Sequence, residues 1–131
     1  MTNTDLVLGC YEAYARGDIE AAVALLHPEV VWLEPEEFTD GGPHHGREAV
    51  RAYLERSRAR WTELTVEPHA DEVNGRIVVV VRHRGRLVSG AARDVTVADV
   101  FTVREGQIVH MQAFANPEEA LRVTREAGPV G

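Results

Sequence analysis

The chain has a single cysteine, Cys10, so it closes no disulfide within itself, which suits a reducing compartment. It has no lysine. All fourteen basic residues are arginine, against twenty-one acidic ones, for a net charge of -7. That balance excludes a broad phosphate-binding face, and no nucleic-acid partner is expected. The one basic run, Arg82-His83-Arg84-Gly85-Arg86, is short and reads as a solvated hairpin. No apolar run reaches the ~18 residues a membrane span requires, and the opening MTNTDLVLGC carries neither a basic leader nor a secretory apolar segment. A cytoplasmic protein with no membrane partner is the expectation. Metal-ligand spacing is also lacking: there is no cysteine pair, and of six histidines only His44 and His45 adjoin, on a loop where neighbours rarely chelate one ion. No metal and no cofactor are expected. Repeats, low-complexity stretches and linkers are missing, so residues 1–131 read as one domain, long enough to bury its own core.

What is present is a change of period along the chain. Leu6, Cys10, Ala13 and Tyr14 recur at helical spacing, predicting a helix over Asp5–Arg16 with Gly17 as its stop. Asp18 caps a second helix over Ile19–Leu26, ended by His27-Pro28. Val30–Glu34 reads as a strand with Val30, Trp32 and Glu34 on one face, and Glu36–Gly46 as a loop. A third helix spans Arg47–Arg60, with Val50, Tyr53, Leu54 and Trp61 on its apolar side. Alternation then takes over. Thr62–Val73 and Arg76–Leu87 form a hairpin across Asn74-Gly75, and Asp94–Val103 and Gln107–Ala115 form another across Glu105-Gly106. Asn116-Pro117 opens a last helix that Gly128 closes. This order predicts an α+β domain in which helices cover one face of a curved antiparallel sheet, leaving a hollow where they cannot fill it.

Two carboxylates stand out. In Asp94–Val103 one face carries Val95, Val97, Asp99, Phe101 and Val103. Asp99 is thus an ionisable group on the more apolar side, where burial demands a partner, water or protonation. Glu34 shares a face with Val30 and Trp32; it either ends its strand pointing to water or sits beside the indole with its proton held more tightly. Two carboxyls facing one apolar hollow suit proton abstraction from a carbon acid, one as base and the other as hydrogen-bond donor to an enolate.

The layout resembles the nuclear transport factor 2-like superfamily, and its SnoaL-like and ketosteroid-isomerase-like members in particular. The resemblance runs over nearly the whole chain. It is carried by Ala15-Arg16-Gly17-Asp18, by Leu25-Leu26-His27-Pro28-Glu29-Val30-Val31-Trp32, by Gly46-Arg47-Glu48-Ala49-Val50-Arg51-Ala52-Tyr53-Leu54, and by the stretch from Asp99 to Val109. It implies a cystatin-like cone, a curved sheet and three helices enclosing a pocket, with a short C-terminal helix added. It places Glu34-Pro35 where the isomerases keep the general base, and Asp99 on their protonated oxyanion-hole aspartate or on the acid/base aspartate of the cyclases. Those paired isomerase roles are a known worked case. The isomerases' oxyanion tyrosine aligns with Cys10, whose thiol is a weak donor, and their pocket tyrosine on the third helix aligns near Leu54.

The pocket wall implied by this resemblance takes Cys10 and Tyr14 from the first helix, Trp32 and Phe38 from the first strand and its loop, and Tyr53 and Leu54 from the third helix. From the last strands it takes Val97, Phe101, Met111 and Ala113, while His110, Gln112 and Phe114 fall on an outer face suited to a homodimer. His44 and His45 would rim the mouth. Of Arg82 and His83 only one can look inward, and alternation does not say which. The implied function is cofactor-independent proton transfer (isomerase, aldol-type cyclase or lyase) on a small apolar partner. A non-catalytic ligand-binding dimer, with Asp99 neutralised by an arginine, is the alternative. An epoxide hydrolase drawing on Arg82 or Arg84 is a third.

Overall fold

A computed structural model describes residues 1–130. Helix α1 (Asn3–Ala15) starts at a capping box, in which Thr2 and Asp5 each bond the other's backbone N–H. Helix α2 (Ile19–Val23) is capped by Asp18. Strands β1 (Leu26–Glu34) and β2 (Gly42–His45) precede helix α3 (Arg47–Ala59). Four long strands follow, β3 (Trp61–Val73), β4 (Arg76–Leu87), β5 (Ala92–Arg104) and β6 (Gln107–Phe114), then helix α4 (Pro117–Glu126). Asn74-Gly75 and Glu105-Gly106 both hold positive φ, as type I′ hairpin turns require.

The six strands form one curved sheet in the order β2-β1-β6-β5-β4-β3. Four of its pairings are antiparallel, but β1 runs parallel to β6. The α+β cone is therefore built on a mixed sheet. Helices α1, α2 and α3 fill the hollow. Leu6, Val7, Ala22, Val23 and Val50 pack there against Ile77, Val79, Val81, Phe101, Ile108 and Met111 from the sheet. Arg58 of α3 donates to the carbonyls of Tyr14 (3.1 Å) and Ala15 (3.0 Å), capping the end of α1 and fixing the two helices together. No helix is long and apolar enough to cross a membrane among the described residues.

Several boundaries differ from the sequence expectation. Helix α2 stops at Val23, not Leu26, because Leu26 pairs with Ile108 and its carbonyl accepts from the Arg47 guanidinium. Pro28 lies inside β1 and does not end a helix. The β1–β6 register slips between Leu26 and Val31, so no ladder bond is asked of the proline there. The stretch expected as loop contains β2, an edge strand whose Gly-Pro-His-His composition hides its pairing with Val31–Glu34. Trp61 opens β3 and does not extend α3.

The outer face is not wholly open. Helix α4 covers part of it, and Val78, Ala98, Val100, Phe114 and Ala120 make a second core. Phe114 is thus buried by its own chain, which removes the apolar residue that had marked an exposed surface for a second subunit. Gln112 stays exposed and His110 half-buried. The rest of that face is a charged ladder, with Arg82 on Asp94 (2.6 Å), Arg84 on Glu67 (2.6 Å) and Arg86 on Glu63 (3.7 Å).

Candidate active site

The hollow keeps a cavity of about 440 Å³ between the helices and the sheet. Its depth is set by strand register. Trp32 opposes Met111 and Met111 opposes Phe101, so these three form one row across β1, β6 and β5. Two residues further, Asp99 opposes Ala113, and continuing the β1 register brings Glu34 level with Ala113. Glu34 and Asp99 therefore stand two strands apart, roughly 10 Å between backbones, with only the Ala113 methyl between them. Both side chains line the cavity.

Each carboxyl has a different neighbour. Tyr11, from α1, donates its hydroxyl to Asp99, and its ring meets Phe101 edge-on at 5.8 Å. Glu34 accepts from the Trp32 indole at 2.8 Å. Burial raises Asp99 to about 6, opposed by the Tyr11 donor. Burial raises Glu34 further, to about 8, and the charge of Asp99 adds to that rise, while the Trp32 and Tyr53 donors pull it back. Burial thus opposes charge on both carboxyls, and a charge on one opposes charge on the other. Asp99 ionises first because a phenol supports its charge, and Glu34 keeps the proton because a second charge beside Asp99 is costly. Burial and the nearby carboxylate in turn push the Tyr11 phenol well up, so it remains a donor.

The other cavity-wall residues fall into tiers. Trp32 and Phe101 meet edge-on at 6.0 Å below the carboxyls. Cys10, Leu54, Val97, Ala113 and Tyr53 stand around them. Burial lifts Cys10 to about 12, so its thiol stays protonated. Toward the mouth, Tyr14 shares a 2.6 Å hydrogen bond with Ser57, and Phe38 and Trp61 add aromatic surface. His44 lies tilted against Tyr53, 4.7 Å between ring centroids, and is not itself on the wall; His45 is exposed.

Several expectations need correction. Met111 is fully buried in the core, between Trp32 and Phe101 in their row, and does not line the cavity. Between Arg82 and His83, which alternation left open, it is His83 that faces inward, and burial lowers it to about 4, leaving a neutral imidazole. Arg82 and Arg84 lie on the outer face in ion pairs, so neither serves Asp99. The partner of Asp99 is a neutral phenol and not an arginine. Tyr11 itself escaped the sequence reading, which followed the alignment to its neighbour Cys10. The spacing Val7, Tyr11, Tyr14 carried the missing signal, a helical stripe as regular as the one through Cys10. Among the described residues, no group of three His, Cys, Asp or Glu lies close enough to hold a metal ion.

Comparison with known proteins sets this site in a family. No protein of curated function matches the sequence. A solved NTF2-like protein of unknown function from Burkholderia pseudomallei is 27% identical, over 95% of this chain and 98% of that one, with a TM-score of 0.78. The protein TerC, crystallised with polyporic acid, is 22% identical over 95% and 98%, with a TM-score of 0.74. A candidate polyketide cyclase from Xanthomonas campestris is 25% identical over 91% and 93%, with a TM-score of 0.66. The family model described as a SnoaL-like domain matches residues 7–111, a span that includes both carboxyls, and the chain belongs to that SnoaL-like family.

Proposed function

We propose that the chain is an acid–base enzyme that moves a proton on a small, largely apolar molecule, as an isomerase, aldol-type cyclase or lyase does. The observation that carries this reading is the pair of carboxyls on one apolar cavity wall, with a phenol donating to one of them. In this reading Asp99 is the base. It takes a proton from a carbon next to a carbonyl, the C–H electron pair moves into the enolate, and protonated Glu34 donates a hydrogen bond to the enolate oxygen. The roles are the reverse of those carried over from the ketosteroid isomerases. Two things support the reversal: Tyr11 stabilises charge on Asp99, and Glu34 holds its proton to about 8. The likeness to a candidate polyketide cyclase is in keeping with such chemistry. A homodimer remains part of the proposal, resting on His110, Gln112 and the charged outer ladder.

The test is exchange of the α-protons of β-tetralone, an apolar bicyclic ketone, in heavy water, followed by proton NMR. The chain should accelerate exchange, and Asp99→Asn should remove roughly 100-fold or more of that acceleration. Exchange no faster than in protein-free buffer, or unchanged in Asp99→Asn, refutes the reading.

A further inference from the structure

The cavity is charged at both ends, with opposite signs. Strand β5 sends Arg93, Val95, Val97 and Asp99 to the same wall. Five residues of strand separate the arginine from the aspartate, roughly 20 Å of backbone from one to the other, and two valines cover the interval. Arg93 opposes Gly85 on β4, so no side chain across the ladder engages it. Among the described residues it makes no ion pair, although Arg82, Arg84 and Arg86 on the neighbouring strand all do. The other arginine on the wall, Arg60, is held by Asp40 at 3.3 Å. Glu37, the acid at the mouth, forms no pair with Arg93 either. Close by stands His83, neutral and half-buried, which feels the Arg93 charge. In a chain of net charge -7 an unmatched guanidinium on a ligand cavity is a standing attraction for an anion.

We infer that the ligand is an elongated amphipathic anion, with an acidic oxygen group held at the mouth by Arg93 and His83 and an apolar body lying over Val95 and Val97. This rests on reading the cavity as a small-molecule site, and not on proton transfer within it. Charge also sets the direction of entry. The ionised Asp99 repels an acidic group from the floor, so the neutral end of the ligand goes in first and meets the carboxyl pair.

Both tryptophans of the chain, Trp32 and Trp61, are on the cavity wall. Energy transfer from them to a naphthalene dye gives a signal when this cavity is occupied, and its loss on adding β-tetralone identifies the dye that sits there. Two dyes of one shape serve as probes: anilinonaphthalene sulfonate, an anion, and the uncharged N-phenylnaphthylamine. Arg93→Gln should weaken the sulfonate about fivefold, the worth of one exposed ionic contact, and leave the uncharged dye within about twofold. Arg93→Lys should recover part of the loss. Added salt should weaken the sulfonate in the wild-type chain more than in Arg93→Gln. Arg104→Gln, an equal charge change at the far end of the same strand and exposed, should alter neither dye. Equal losses for both dyes, or unchanged sulfonate affinity in Arg93→Gln, overturn the inference. Because dye binding needs no chemistry, this result stands or falls apart from the tetralone exchange.

Discussion

Replacing Tyr11 by Phe takes one oxygen from the cavity wall and little else. The ring can keep its edge contact with Phe101, so α1 packs as before, but Asp99 loses its phenol donor. A hydrogen bond to a charged acceptor contributes about 1.5–3 kcal/mol, and about 1.4 kcal/mol corresponds to one pH unit in a pKa. Asp99, held at about 6 by burial against that donor, should therefore rise by roughly 1–2 pH units. That brings it close to Glu34, at about 8. Carbon-13 NMR of the side-chain carboxyls across the pH range is the assay. In the wild-type chain Asp99 loses its proton first and Glu34 second; in Tyr11→Phe the first step should move up, while repulsion keeps two steps and both carboxyl resonances should respond to each. If the Asp99 resonance titrates where it did before, or lower, the phenol is not supporting its charge, and the assignment of Asp99 as base fails with it.

Further outcomes follow from the same geometry. Glu34 and Asp99 are both raised in the folded chain, so between their unfolded values near 4 and about 8 the folded state binds more protons, and stability declines as pH rises. His83 works in the other direction, losing stability as pH falls from 6.5 through about 4, so the carboxyl slope stands alone from about 6.5 to about 8. Urea unfolding at a series of pH values should show Glu34→Gln flattening that upper slope; an unchanged slope would count against a proton held on Glu34. Met111→Ala should cost about 2–5 kcal/mol in the same assay, the penalty of a core cavity, whereas a small cost would return Met111 to the ligand wall. Asp94→Ala, which breaks an exposed ion pair with Arg82, should leave the urea midpoint nearly where it was.

The features legible in the sequence were those that depend on short-range pattern. The face of β5 that carries Asp99 followed from alternation, and the Asn74-Gly75 and Glu105-Gly106 turns from the positive φ that hairpins demand. What local pattern cannot hold is the pairing of distant strands. The parallel docking of β1 on β6 sets Glu34 level with Asp99 and Met111 beside Trp32, and neither strand announces it. Helix α1 shows a second limit. It buries Leu6, Val7, Cys10, Tyr11 and Ala13 over a broad arc, so periodicity could not choose between Cys10 and Tyr11 as the residue that meets Asp99. Pro28 misled for a physical reason as well, since a proline that ends a helix and one that sits in a register slip look alike until the partner strand is known.

Ala113 has the smallest side chain in its row and sits on the strand between the two acids. Its size therefore governs how strongly those acids communicate. A leucine in that place would drive water from the middle of the chamber, and across the drier medium each charge would resist the other more strongly, spreading the two proton losses further apart. Relatives that differ at this position would then differ in acid–base behaviour while keeping every ionisable group intact.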